Sequence, residues 1–151
     1  MILTVRNKAL LLVSVVVLLS ACGPGAHRQL TTTFDDVECI INDPPDSALT
    51  VLSGVDSAAL NTRALRARYS LLYVMALDKC YEDITAPGLL DPAVAWYERH
   101  GSADEKMKTL YYEGRIAQAN KNSSDAAVCY SRAEAFSERV QDKHALGLLY
   151  L

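Results

Sequence analysis

The thiol of Cys22 is the one side chain whose setting invites a specific chemistry. It follows two small residues, Ser20 and Ala21, and an 11-residue apolar run from Ala9 to Leu19 that only Ser14 interrupts. Arg6 and Lys8 are the only charges ahead of it. Elsewhere the residues that could do chemistry are scattered. His27, His100 and His144 are far apart, and His100 closes a helical pattern, where the helix dipole explains it better than a metal does. The acidic neighbours Asp35-Asp36, Glu82-Asp83 and Asp104-Glu105 fall at helix ends or first turns, where solvated charge is the ordinary role. No GxxxxGK, HExxH, CxxC or GxSxG motif occurs. The pattern predicts a protein that is not an enzyme and holds neither metal nor cofactor.

The apolar run is too short for a bilayer span, which takes roughly 20 residues. Residues 1–21 therefore read as a signal peptide. Leu19-Ser20-Ala21-Cys22 closely resembles the lipobox of bacterial lipoproteins. That resemblance implies a diacylglyceryl group on the Cys22 sulfur, cleavage just before Cys22, and lipid anchoring in the cell envelope. Residues 22–30, with two Gly around Pro24 and no periodicity, read as a flexible tether. No acidic cluster resembling a surface-export signal follows Cys22, so the anchored domain is expected to face the periplasm.

Residues 31–151 then form one domain. Half of the 151-residue chain is hydrophobic and 22% is charged, which supports a buried core and excludes disorder. A net charge of −3 gives no electrostatic case for nucleic acid. With Cys22 lipidated, Cys39, Cys80 and Cys129 are an odd set. They can form one disulfide, but helix-core positions favour three buried thiols.

Turn signals divide this domain into helices. Phe34, Val37 and Ile41 recur at helical spacing before Asp43-Pro44-Pro45. Asp43 is expected to cap the next helix, with Pro44 in its first turn and Gly54 at its end. A long helix spans Asn61 to about Tyr81, with Leu65, Tyr69, Leu72, Tyr73, Ala76 and Cys80 along one stripe. Asp91-Pro92 opens a helix that ends at His100, with Gly101 in the left-handed position. Ser102-Ala103-Asp104-Glu105 is a capping box for a helix to about Asn120. Asn122 starts the next, reaching roughly Glu138, and Gln141-Asp142 precede the last. The domain reads as all-α.

The helices also repeat. Ala93-Val94-Ala95-Trp96-Tyr97 superimposes on Ala126-Ala127-Val128-Cys129-Tyr130 with an offset of 33 residues, which also carries Gly114 onto Gly147. Gly114, Ala126, Tyr130 and Ala133 stand at the spacing of tetratricopeptide repeats. Gly114 and Ala126 let paired helices approach, and Tyr130 fills the remaining gap. Ala93, Tyr97 and Gly147 hold the equivalent places in the neighbouring units. Asp46-Ser47-Ala48-Leu49, Leu65-Arg66-Ala67-Arg68-Tyr69, Ala76-Leu77-Asp78-Lys79 and Tyr97-Glu98-Arg99-His100-Gly101 resemble phrases of tetratricopeptide-repeat (TPR) lipoproteins of Gram-negative gut anaerobes. The resemblance implies tandem hairpins stacked as a short TPR-like right-handed solenoid. Lys121-Asn122 depart from that family's usual Gly-Asp turn. Leu151 falls inside what should be the first helix of another hairpin, so a truncated member or a fragment is expected. In that reading Leu146, Leu149 and Tyr150 pack against Ala127 and Tyr130. Asp46-Ser47-Ala48 and Asp56-Ser57-Ala58 resemble an O-glycosylation pattern of such bacteria, but helix-start and turn chemistry explain them better.

Stacked hairpins line a concave groove with their first helices, and the family uses that groove for peptides. Lys108, Tyr111, Arg115 and Gln118 are the expected groove residues, with His144 the counterpart of Tyr111. Together they suit an acidic or C-terminal peptide segment; the family's carboxylate-clamp pattern itself is not matched. The leading expectation is a membrane-anchored scaffold or adaptor with an unknown protein or peptide partner, no nucleic acid and no small-molecule substrate. Two other readings stand beside it. One is the truncated periplasmic input portion of a membrane-bound transcriptional or signalling regulator. The other is a glycan-capture lipoprotein of a nutrient-uptake system, whose members are much longer and richer in exposed aromatics.

Overall fold

Capping chemistry decides where most of the helices begin. The computed structural model describes residues 24–150, so Cys22 and the expected signal peptide lie outside the described residues. Among the described residues all regular structure is helical: α1 (Pro24–Ile40), α2 (Pro45–Ser53), α3 (Arg63–Lys79), α4 (Asp91–His100), α5 (Ala103–Ala119), α6 (Ser123–Glu134) and α7 (Lys143–Leu148). Short 3-10 turns follow α2 at Ser57–Ala59 and α6 at Ser137–Arg139. The Thr62 hydroxyl accepts from Leu65 N–H (3.1 Å) to start α3. Ser102 and Glu105 form the expected capping box of α5, at 3.2 and 2.7 Å. Asn122 and Asp142 cap α6 and α7 by accepting from Asp125 and Ala145. Each such cap satisfies an amide that the helix itself leaves unpaired. Asp56 caps the 3-10 turn in the same way (Ala58 N–H, 2.9 Å), the turn role expected of Asp56-Ser57-Ala58.

Among the described residues, 24–33 and 34–150 form two units by their contacts. In the first, the stretch expected as a tether is helical from Pro24. Proline suits a first helical turn, and Thr31, Thr32 and Thr33 direct their hydroxyls back to the carbonyls of His27, Arg28 and Gln29 at 3.0–3.1 Å. Threonine at these places joins the helix instead of breaking it.

In the second unit α3 is the central element, packed against α2, α4 and α5. That position buries far more of it than one stripe. Besides Leu65, Leu72 and Ala76, it buries Ala67, Leu71, Val74 and Met75, while Tyr69 and Tyr73 stay half-buried. Phe34, Val37 and Ile41 are fully enclosed, as their spacing predicts. Each large side chain so buried contributes about 1.5–3 kcal/mol. The other closest pairs are α5 with α6 and α5 with α4.

The helix ends differ from expectation in an instructive way. Helix α3 stops at Lys79, ahead of Ala86-Pro87-Gly88, because Tyr81 turns left-handed (φ 60°) and Glu82 N–H reaches the Leu77 carbonyl (2.9 Å). Lys121 does the same after α5 (φ 62°), with Asn122 N–H on Ala117. Both ends are Schellman motifs with a non-glycine in the left-handed position. Gly101, expected there, is extended (φ −74°, ψ 149°). Glycine is needed at 101 for space: a Cβ would stand 2.8 Å from the Tyr97 carbonyl oxygen. Asp43 does not cap α2 either. The helix opens at Pro45, so the cap position falls on Pro44, and Asp46 supplies the first-turn carboxylate.

The chain after α6 also takes another course. Asp104, at the start of α5, accepts from Gln141 N–H (3.0 Å) and Asp142 N–H (2.7 Å), so its carboxylate pins the entry to α7. Leu146 and Leu149 therefore pack against a cluster of Met107, Leu110, Ala133, Val140 and Ala145. Ala127 is exposed, and Tyr150 is 61% exposed.

Candidate functional site

Most of the residues expected to pack repeat units are buried, and one pair of them is in direct contact. Ala93, Ala126 and Ala133 are buried, Tyr97 is 5% exposed, and the Tyr130 ring lies directly on Gly114. Gly147 is different: nothing lies within 4 Å of where its Cβ would be. It has no close-packing role, because α7 follows α5 at its start and presents this position outward.

Four helices converge on a groove of 190 Å³. Glu38 of α1, Arg68, Leu72, Met75 and Lys79 of α3, Lys108 and Tyr111 of α5, and His144 and Leu148 of α7 all face it, with Tyr97 of α4 at one side. Of the five expected groove residues, Lys108, Tyr111 and His144 come together here. Arg115 and Gln118 do not. They line a separate shallow pocket with Asp78 and Tyr81. The Arg115 guanidinium holds the Asp78 carboxylate from Nη2 (2.8 Å) and Nε (3.2 Å), and its Nη1 donates to Gln118 Oε1 (3.2 Å). The Asp78 side chain is only 14% exposed, so its charge requires that partner. The sequence periodicity places Arg115 on α5 correctly but carries no sign of a carboxylate 37 residues away.

The charges of the groove are mostly paired. Arg68 binds Asp35 (2.6 Å) and Glu38 (3.1 Å), and Lys108 binds Asp142 (2.6 Å). Glu105 is engaged by the Ser102 amide. Lys79 is the exception. Half-buried in the last turn of α3, it makes no hydrogen bond or ion pair among the described residues, and burial lowers its pKa although Asp78 and Asp142 favour its charge. Burial raises the pKa values of Tyr97, Tyr111 and Tyr112, so these phenols remain protonated near neutrality. The groove thus offers one ammonium that makes no hydrogen bond among the described residues, neutral phenols and an apolar floor of Leu71, Leu72, Met75 and Leu148. Comparison with known proteins found no matching family model, no matching curated protein and no matching solved structure.

Arg68 and Lys79 were not among the expected site residues, although both lie in segments that resemble the repeat family. Pairing across helices, which the sequence does not display, distinguishes the free lysine from the neutralised arginine. Among the described residues no cluster of three or more His, Cys, Asp or Glu is placed to hold a metal. No described helix is long and apolar enough to cross a membrane. The three described cysteines are free thiols, but they are not buried as expected: Cys39 is exposed, and Cys80 and Cys129 are half-buried. Cys39 faces away from the Phe34–Val37 stripe, and Cys80, in the cap position beyond α3, donates to Asp46 Oδ1 (3.2 Å).

Asp142 links the groove to stability. Burial would raise its pKa, but the Ala145 amide and Lys108 more than offset this and the pKa is lowered. The resulting stabilisation is complete above the unfolded aspartate pKa of about 3.9 and disappears as pH falls through the lower folded value. Thermal melts between pH 6 and pH 2 should show wild type losing stability in that window, with a shallower loss in Asp142→Asn. The cap is worth about 1 kcal/mol.

Proposed function

We propose that this is a non-enzymatic interaction protein whose hairpins stack as a short TPR-like right-handed solenoid, and whose groove captures the terminal carboxylate of a peptide. In this reading the protein is held in the cell envelope by a lipid on Cys22, with the domain facing the periplasm. The alternation of helices supports the solenoid: α1, α3, α5 and α7 supply the groove wall, α4 adds only Tyr97, and α2 and α6 add nothing. The lipobox resemblance supports the anchor.

The observation that carries the binding role is Lys79. The Lys79 ammonium, half-buried and engaged in no hydrogen bond among the described residues, is available to a bound carboxylate through a charge-assisted hydrogen bond. Tyr111, on the same groove, has a hydroxyl able to donate, and Leu72, Met75 and Leu148 can take the last apolar side chain. The volume admits one or two side chains, so recognition is confined to the peptide's end.

A pool of short peptides synthesised both as free acids and as C-terminal amides tests this. The free acids should bind more tightly, and Lys79→Ala should weaken them about tenfold or more, the loss of one strong charged hydrogen bond. Equal binding of acids and amides, or an unaffected Lys79→Ala, contradicts the proposal.

A further inference from the structure

Away from the groove, on the opposite face of α3, a cleft of 360 Å³ opens between the first turn of α3 and the body of α4. Its walls are Arg63, Arg66, Pro92, Ala95, Trp96, Arg99 and His100, and no carboxylate lines it. Among the described residues none of the three guanidiniums makes a hydrogen bond or ion pair. Arg63, Arg66 and Arg99 are exposed, so they are open to a ligand while water moderates their mutual repulsion. Three like charges share one cleft in a chain whose net charge is −3, and two of them stand at the positive end of α3, whose first turn has no acid. The fourth polar wall is fixed in place. The His100 ring stacks on Trp96 with centroids 4.0 Å apart and planes 15° apart, and its Nδ1 lies 3.1 Å from the Trp96 carbonyl oxygen.

We propose that this cleft binds the phosphate monoester of a small ring-bearing organic ligand. Guanidinium forks match phosphate oxygens in bidentate fashion. Three of them compensate a dianion, which exceeds what a single carboxylate needs. The half-buried Trp96 indole, with Pro92 and Ala95, forms an apolar wall suited to a flat or cyclic group beside the phosphate. None of these residues lines the Lys79 groove, so the two sites stand or fall separately.

Titration of the protein with phenyl phosphate, inorganic phosphate, benzoate and oligoglutamate tests the site. Phenyl phosphate should bind about tenfold more tightly than benzoate, and Arg66→Ala or Arg99→Ala should each weaken it about tenfold. Trp96→Leu should remove the preference for phenyl phosphate over inorganic phosphate while leaving the phosphate affinity. Circular dichroism of each variant establishes that it is folded. Displacement of phenyl phosphate by phosphatidylcholine vesicles containing phosphatidic acid, and not by phosphatidylcholine alone, would overturn the small ring-bearing ligand in favour of a lipid headgroup. Lack of displacement assigns the phosphate to a free ester. Benzoate or oligoglutamate binding as tightly as phenyl phosphate, affinity unchanged in folded Arg66→Ala and Arg99→Ala variants, or no binding at millimolar phenyl phosphate overturns the proposal.

Discussion

Gly114→Ala is expected to lower the stability of the protein by about 1–3 kcal/mol, the usual cost of forcing one extra group into a packed contact. The added Cβ would stand 2.7 Å from Tyr130 Cδ1 and 2.9 Å from its Cζ. The ring cannot simply swing aside, since its hydroxyl donates to Gln118 (3.1 Å) and it packs on Tyr111 with centroids 5.8 Å apart. Thermal unfolding should therefore fall by several degrees. In a Tyr130→Leu background the same alanine should cost much less, because the clash and the substitution share one contact. An unchanged melting temperature would show that α5 and α6 do not approach through this glycine.

Arg115→Ala is the second large effect. It strands a carboxylate on α3 that is mostly withdrawn from water and removes the tie between α3 and α5. Breaking a well-buried pair from one side costs about 3–5 kcal/mol, and the 37% exposure of the Arg115 side chain reduces this to about 1–3 kcal/mol. Urea denaturation should register the loss. Arg115→Lys should recover only part of it, since an ammonium cannot reproduce the two-pronged contact. Asp78→Asn combined with Arg115→Ala should be more stable than Arg115→Ala alone, because no charge is then left stranded. Equal stability of wild type and Arg115→Ala contradicts the assignment.

These two positions show what the sequence discloses and what it withholds. Gly114 and Tyr130 are legible because local spacing places a small and a large residue on facing helices of one hairpin. Ser102, Asn122 and Asp142 are legible as caps because a cap bonds within three residues of itself. Arg115 lies at an expected groove position yet faces Asp78, and Lys79 is left without an ion pair although Arg68, about three turns away on the same helix, is neutralised twice. Such outcomes depend on which helices pack side by side. Short-range signals also mislead when two explanations share one residue: Gly101 looks like a left-handed terminus but is required for space beside Tyr97. The cleft around Trp96 combines the start of α3 with one face of α4, which no single amphipathic pattern reveals.

The central claim is that the groove walled by α1, α3, α5 and α7 is the peptide site and that Lys79 is its anchor. Amide and side-chain NMR shifts, recorded as a free-acid peptide is added, test it most directly. Saturable shifts are expected at Lys79, Leu72, Lys108, Tyr111 and His144, weak or absent with the amidated peptide and lost in Lys79→Ala. Shifts confined to Arg63, Arg66, Trp96 and Arg99, or no saturable shift in the groove, would contradict it.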